Sequence, residues 1–260
     1  MPRLPANSMR LPPPGAAPYN ADMGLFARAK TFALDLLFPL SCAGCGTEGA
    51  YLCAPCAADI PMYAPACIVC KKLVPAHGDI PAGKTCTPCR KKSRIYASFS
   101  PFSYDTPAIK TLIHDLKYRR VAGNAEILGA LLSRAIAYHG ILLSRDSVII
   151  PIPLHPSRER TRGFNQAQLI ADALGAKLGI SVRADLLKKI KNTRPQMDLP
   201  REERLKNVTG AFAVSDSDTV RNRTCILMDD VKTTGATLES AARVLRAAGA
   251  KRVWAITVAR

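Results

Sequence analysis

The sequence predicts an α/β protein: a mostly parallel sheet flanked by helices, preceded by a small cysteine-rich module. Three observations carry that prediction. From Tyr96 onward, short apolar runs alternate with amphipathic helical patterns. That texture marks strand–helix–strand units whose sheet is covered on both faces. Upstream, eight of the nine cysteines fall into four Cys-x-x-Cys pairs. Near the end, a hydrophobic run leads into Asp229-Asp230, then a Thr/Gly turn, then a helical pattern.

Composition sets the outer bounds. A chain of 260 residues holds one large domain or two ordinary ones. With 48% hydrophobic and 22% charged residues it has a globular profile and enough chain to bury a real core. No apolar run approaches the ~18 residues of a membrane span, so no membrane insertion is expected. Lys and Arg number 37 against 20 Asp and Glu, a formal charge of +17. That balance favours polyanionic partners: nucleic acid, nucleotides or phosphate esters. The excess is shared, +6 on residues 1–95 and +11 on 96–260, so there is no isolated basic tail. The N-terminus carries Arg3 and Arg10 but no apolar stretch of a secretory signal. A cytoplasmic location is expected, and there clustered cysteines are metal ligands more often than disulfides.

The elements follow in order. Residues 1–24 read as a disordered proline-rich leader, with Pro12-Pro13-Pro14 at its centre. Residues 25–95 hold a short amphipathic helix over 25–38, ended by Pro39, and the cysteine module. The α/β domain takes 96–260. ASFSPFSY (97–104) alternates and reads as strand or hairpin. In 107–118, Ile109, Leu112, Ile113 and Leu116 share one helical face. A second helix spans 124–138 behind Asn124 as its cap. A buried strand over 148–153 and a helix over 165–178, ended by Gly179, come next. A strand near 185–190, a polar segment, the strand Cys225–Met228, a helix over 236–248 closed by Gly249 and a strand over 252–259 complete the pattern. Ligands of such sheets sit at the carboxyl ends of the strands.

The cysteine spacing is C-x2-C-x7-C-x2-C-x10-C-x2-C-x15-C-x2-C. Each knuckle places two thiolates on one tight turn, and two knuckles complete a tetrahedral zinc site. Eight ligands therefore predict two structural Zn2+ sites, closed by four thiolates each. Sequential pairing gives Cys42, Cys45, Cys53 and Cys56 for one site and Cys67, Cys70, Cys86 and Cys89 for the other. A crossed pairing also fits the spacing. The segment has little apolar core, so metal binding would supply its folding energy. Cys225, at the head of a buried strand, reads as a small core residue.

The segment CILMDDVKTTGATLESAARVL (225–245) has the form of an anion cradle. N–H groups and the dipole of a helix N-terminus favour negative charge. Gly235 lets the backbone turn closely around a ligand, and Thr233, Thr234 and Thr237 add hydroxyls. Asp229 and Asp230 would repel a phosphate but suit ribose hydroxyls, with Mg2+ held nearby through ligand oxygens. The segment is no P-loop, because it lacks G-x4-G-K-[ST]. It resembles the phosphoribosyl pyrophosphate (PRPP) signature of type I phosphoribosyltransferases. PIPLHPSRERTRGFNQA (151–167) brings Arg158, Arg160 and Arg162 to a helix start, where such a fold holds pyrophosphate. The polar segment 192–212 resembles the catalytic loop of those enzymes.

The order of motifs is more specific. Cysteine knuckles, Leu116-Lys117-Tyr118, RGFNQA, TRPQ with a following Arg and Asn, and DDVKTTGAT occur together over roughly residues 32–260. This arrangement resembles the ComF family of competence-associated proteins, and the resemblance implies a double zinc ribbon followed by a type I phosphoribosyltransferase-like domain. It assigns Asp229 and Asp230 to ribose hydroxyls and Thr233, Thr234, Gly235, Ala236 and Thr237 to the 5-phosphate. Lys117, Arg158 and Arg162 would face pyrophosphate, and Arg201 and Arg204 would act from the closing loop. Lys232 departs from the aromatic or small residue expected at its position. The family is linked to natural transformation, with single-stranded DNA and a helicase-like protein as implied partners.

Two function classes stay open at this point. One is an enzyme that uses PRPP and Mg2+, releases pyrophosphate and glycosylates an unidentified acceptor. The other is a non-catalytic module binding a related nucleotide or single-stranded DNA on the same fold. No Ser-His-Asp or Cys-His arrangement stands out, and the scattered histidines read as structural or surface groups.

Overall fold

The computed structural model describes residues 40–78, 80–193, 208 and 210–260. The expected leader (1–24) and the expected helix over 25–38 lie outside the described residues, as do Arg201 and Arg204.

The cysteine module comes first. It contains α1 (Ala54–Ala58) and a single 3-10 turn, Thr87–Cys89. The α/β domain then runs β1 (Ala97–Phe99), α2 (Pro107–His114), α3 (Gly123–Tyr138), β2 (Val148–Pro151), α4 (Pro156–Arg162) and α5 (Gln166–Leu178). It continues β3 (Ser181–Val182), β4 (Leu187–Lys189), β5 (Phe212–Val214), α6 (Ser217–Val220), β6 (Thr224–Val231), α7 (Ala236–Ala247) and β7 (Arg252–Ala259). The main sheet has the order β1-β7-β6-β2-β3, and all its pairings are parallel. A small antiparallel ribbon, β4–β5, lies apart. The predicted mostly parallel sheet flanked by helices is what forms.

Strand alternation sorts the core into two layers. On β6, Ile226 and Met228 join β7 residues Trp254, Ile256 and Val258 on one face. There they meet Leu112 of α2, Leu128 and Leu132 of α3, and Ile170 and Leu174 of α5. Cys225 and Leu227, with Val148 and Ile150 of β2, point the other way, toward Leu238 and Leu245 of α7 and Phe212 of β5. Each fully buried Leu or Ile adds about 2 kcal/mol through removal from water.

The cysteine module is welded to the sheet edge. Lys84 bridges Ala97 in antiparallel register. The Thr85 N–H donates to the Tyr96 carbonyl at 2.8 Å, and the Ser98 N–H donates to the Gly83 carbonyl at 3.0 Å. Gly83 is at φ 73°, and a Cβ there would sit 2.1 Å from the Ser98 oxygen. Only glycine permits this approach. The exit from the module is fixed by Glu239 of α7, which accepts from the Ser93 hydroxyl at 2.7 Å and the Arg94 N–H at 3.0 Å.

Several expectations need correction. Asn124 does not cap α3. The helix starts at Gly123, and the buried Asn124 amide instead donates to the Leu112 carbonyl at 3.1 Å, tying α3 to α2. Of the strand or hairpin expected over 97–104, the strand is what forms: β1 pairs with β7, and Phe102 makes a further parallel bridge to Ala259. β2 stops at Pro151, two residues short of the expected end. β6 extends past Met228 to Val231, so the two aspartates lie within the strand.

Candidate functional site

The metal module closes into two clusters, Cys42/Cys45/Cys53/Cys56 and Cys67/Cys70/Cys86/Cys89, with the ligand atoms of each within 4.8 Å of one another. Sequential pairing is therefore the one that forms. A tetrahedral zinc with sulfur at about 2.3 Å sets neighbouring sulfurs ~3.8 Å apart. The Cys42–Cys53, Cys45–Cys53 and Cys70–Cys86 sulfurs stand 3.6, 3.7 and 3.6 Å apart, so the donor set fits the ion. Backbone N–H groups of Gly44 and Cys53 point at the Cys42 sulfur at 3.4 and 3.3 Å, as a thiolate knuckle requires. Burial works against ionisation of Cys42, yet the backbone N–H groups of Cys53, Cys45 and Gly44 outweigh it and bring the thiol down to about 6. Cys225 is the opposite case: burial pushes its thiol up to about 11, and it packs as a small core residue.

The second centre lies at the carboxyl ends of β6 and β2. Alternation sends the two aspartates of β6 to opposite faces. Asp230 points toward the α2/α5 side, where Lys117 forms an ion pair with it. Lys117 reaches it because α2 is followed by one π-helical turn, Asp115–Arg119, which ends on Arg120 in the left-handed conformation. Such turns inside helices are frequent at functional sites. Burial opposes the charge on Asp230, but Lys117 outweighs it and holds the carboxyl below its usual range. Burial likewise opposes the Lys117 charge, and Asp230 overcomes it and raises the ammonium. Asp229 goes the other way, pushed well up by burial and then by the neighbouring Asp230 charge. The Asp230 N–H donates to the Asp229 carboxylate at 2.9 Å. The pair is thus one firmly ionised carboxylate beside one that resists ionisation.

Beside this pair opens a cavity of about 640 Å³, lined by Lys117, Tyr118, Arg120, Ser157, Arg158, Thr161, Arg162, Asn192 and Thr193. Its cations come from α4, the π turn and the residue after it. Arg162 donates to the Gln166 amide oxygen at 2.6 Å and stands over the Tyr118 ring at 5.7 Å. Arg158 donates to the Thr193 carbonyl at 2.9 Å, anchoring the chain just before residue 194. Asn165 caps α5 and donates to the Ile152 carbonyl at 3.0 Å, so the α4–α5 junction is fixed to the end of β2.

Thr233–Thr237 adjoin the site at the start of α7. Gly235 is the N-cap with φ 82°, and the Ala236 N–H donates to the Thr234 hydroxyl at 3.3 Å. The turn does not line the cavity. The structure therefore brings Lys117, Arg158 and Arg162 to one wall, with Asp229 and Asp230 adjoining through Lys117. Sequence reasoning missed Arg120, Thr161 and Asn192 as cavity residues, because nothing in the sequence announces a π turn or the separate helix α4. It also missed Gln166 as the residue that orients Arg162. The i, i+4 spacing of those two residues was the available signal.

Residues 160–260 match the family model of the phosphoribosyl transferase domain, and residues 33–90 match that of the double zinc ribbon domain. The DNA utilization protein YhgH of Salmonella typhimurium is 29% identical over 209 residues, covering 79% of this chain and 89% of that protein. Competence protein ComFC of Bacillus subtilis is 33% identical over 147 residues, 56% of each chain. Competence protein F of Haemophilus influenzae is 30% identical over 176 residues, covering 66% of this chain and 77% of that protein. Two four-cysteine clusters ahead of a phosphoribosyltransferase-type sheet, in a chain this similar to competence protein F, establish that the protein belongs to the ComF family.

Proposed function

We propose that the protein binds PRPP with Mg2+ at the end of β6 and transfers the phosphoribosyl group to a nitrogen acceptor, releasing pyrophosphate. The observation that carries this reading is the acid pair Asp229/Asp230 set beside a cavity walled by Lys117, Arg158, Arg162 and Arg120. Carboxylates at a strand end suit ribose hydroxyls, and the cationic wall suits a pyrophosphate. Bound through ligand oxygens, Mg2+ supplies neutralisation of the diphosphate charge.

The chain's own residues then have distinct tasks. Asp230, kept ionised by Lys117, accepts from a ribose hydroxyl. Asp229 lies next to it on the other side of the strand. Arg158 and Arg162 stabilise the charge that grows on the leaving group as the anomeric C–O bond breaks and its electron pair departs with pyrophosphate. The acceptor nitrogen supplies the pair for the new C–N bond, and its proton passes to solvent. Arg201 and Arg204 belong, in this reading, to the segment that closes the site against water.

The names of the relatives, DNA utilization protein and competence protein, favour an acceptor or partner drawn from DNA metabolism. Exposed Arg90, Lys91, Lys92, Arg94 and Lys188 supply basic surface for a nucleic-acid backbone. The working location of this reading is the cytoplasm. No helix among the described residues is long and apolar enough to cross a membrane.

Calorimetric titration of zinc-loaded protein with PRPP and Mg2+ tests the reading, with the Asp229→Asn/Asp230→Asn double variant alongside. Saturable binding that the double variant loses at least tenfold is the expected result. If folded wild-type protein does not bind PRPP at millimolar concentration, the enzyme reading fails and nucleotide or single-stranded DNA binding takes its place.

A further inference from the structure

The first cysteine cluster touches the helices beside the site at two points. Gly44, between Cys42 and Cys45, lies against α2: a Cβ there would stand 2.8 Å from the Cys56 sulfur and 3.8 Å from the Ala108 Cβ. Tyr51, two residues ahead of Cys53, lies against α3. Its ring takes the place a side chain of Gly123 would need, with ring carbons 2.6, 3.1 and 3.3 Å from where a Gly123 Cβ would be. Gly123 is buried and is the first residue of α3. Both knuckles of the cluster fix that ring. The Tyr51 carbonyl accepts from the Ala43 N–H at 2.8 Å, next to Cys42, and the Cys53 N–H points at the Cys42 sulfur at 3.3 Å.

Only Arg120, Val121 and Ala122 separate Gly123 from the π turn Asp115–Arg119. The connection has no slack. Arg120 is left-handed at φ 59°, a conformation that a residue with a side chain keeps only where its surroundings impose it. The Val121 N–H donates to the Asp115 carbonyl at 3.3 Å, and the Asn124 N–H donates to the Val121 carbonyl at 3.1 Å. A shift at Gly123 therefore passes into the π turn. That turn carries Lys117 to Asp230 and sets Tyr118 and Arg120 in the cavity wall. A π turn is wider than an α-helical one, and a return to α-helical winding would rotate Lys117 away from Asp230.

We propose that Tyr51 is a positioning residue of the PRPP site. Held by the first zinc cluster, its ring fixes the start of α3 and keeps the π turn wound with Lys117 on Asp230. Metal in the first cluster is thereby coupled to the site, whereas the second ribbon braces β1. The inference deepens the PRPP reading and rests on it for the ligand alone. The coupling of ring, turn and ion pair belongs to the protein whatever it binds.

The test compares zinc-loaded wild type with Tyr51→Phe, Tyr51→Ala, Gly123→Ala and the double variant Tyr51→Ala/Gly123→Ala. Lys117 is probed by limiting acetic anhydride and peptide mass spectrometry, with exposed Lys110 of α2 as the internal reference. Zinc content, melting temperature and calorimetric binding of PRPP with Mg2+ are measured alongside. An ion-paired, largely buried ammonium reacts slowly, so wild type should protect Lys117. Tyr51→Ala should acetylate Lys117 faster with Lys110 unchanged, and bind PRPP about tenfold more weakly, while both clusters keep their zinc. Tyr51→Phe keeps the ring and should stay within a few-fold of wild type in both readings. Gly123→Ala pushes the ring out and should resemble Tyr51→Ala. In the double variant the ring is gone, so the new methyl should add no further loss. Where Tyr51→Ala fails to hold zinc, Gly123→Ala decides, because it leaves every ribbon residue in place. Lys117 that stays protected in Gly123→Ala, additive losses in the double variant, or exposure of Lys117 in Tyr51→Phe overturns the proposal. Wild type that binds no PRPP, with Lys117 exposed only where the ring is displaced, removes the PRPP reading and leaves the coupling standing.

Discussion

At the scale of single residues, Lys117 and Lys232 are cations at the same end of the sheet with opposite surroundings. Lys117 faces Asp230, which outweighs the cost of burial and raises its ammonium. Burial, then the charges of Lys71 and Arg260, bring the Lys232 ammonium down to about 7. That difference has a definite pH signature. An unfolded chain keeps lysine protonated to about 10.4, so above pH 7 it binds one more proton at this position than the folded protein does. Stability contributed by Lys232 therefore rises with pH between about 7 and 10. Denaturation midpoints between pH 6 and 9, compared with Lys232→Met, check the slope. The variant should flatten it.

At the scale of elements, strand and helix types were readable from periodicity, while the ends that build the site were not. β7 runs over the expected residues because Trp254, Ile256 and Val258 alternate cleanly with Val253 and Ala255. β6 was expected to stop at Met228, since an Asp-Asp pair is a poor strand signal. The strand continues to Val231 because a long-range ion pair with Lys117 neutralises Asp230. Lys117 is placed by a π turn, and local sequence patterns do not encode that. Asn124 looked like a cap because it precedes an apolar run, yet its amide is spent on α2. The thiol knuckles were legible as two four-ligand zinc sites, while the choice between sequential and crossed pairing came only from the structure. Nor could the spacing give the ribbon's seat on the sheet. Gly83 holds that seat, with no room for a Cβ beside the Ser98 carbonyl. Gly83→Ala should cost about 2 kcal/mol or more in urea unfolding while both clusters still bind zinc, as measured by colorimetric release.

At the scale of the whole molecule, the metal module and the sheet are one structure. The segment Gly83–Thr85 covers the outer edge of β1, and Glu239 clasps the exit at Ser93 and Arg94. Exposed strand edges invite pairing between chains. Removing zinc with a strong chelator should therefore release more than the small module: β1 loses its cover, and the protein should self-associate as it unfolds. Light scattering during chelation at fixed protein concentration checks this. The expected result is scattering that rises with metal loss and is prevented by excess zinc. A clear solution of intact α/β domain after complete zinc removal would show that the two halves stand independently.

The sheet order also has a temporal side. β1 leads the α/β domain, yet its partner β7 is the final strand, and β7 also separates β1 from β6. During synthesis β1 emerges long before it can pair, and contacts of such sequence separation form late. The cysteine clusters close over short loops, so they can fold while the rest of the chain is still being made. Gly83–Thr85 then gives β1 a partner in the interval. In this light the ribbon shields an unfinished sheet, and a nascent chain halted before Arg252 should depend on zinc for solubility more than the completed protein does.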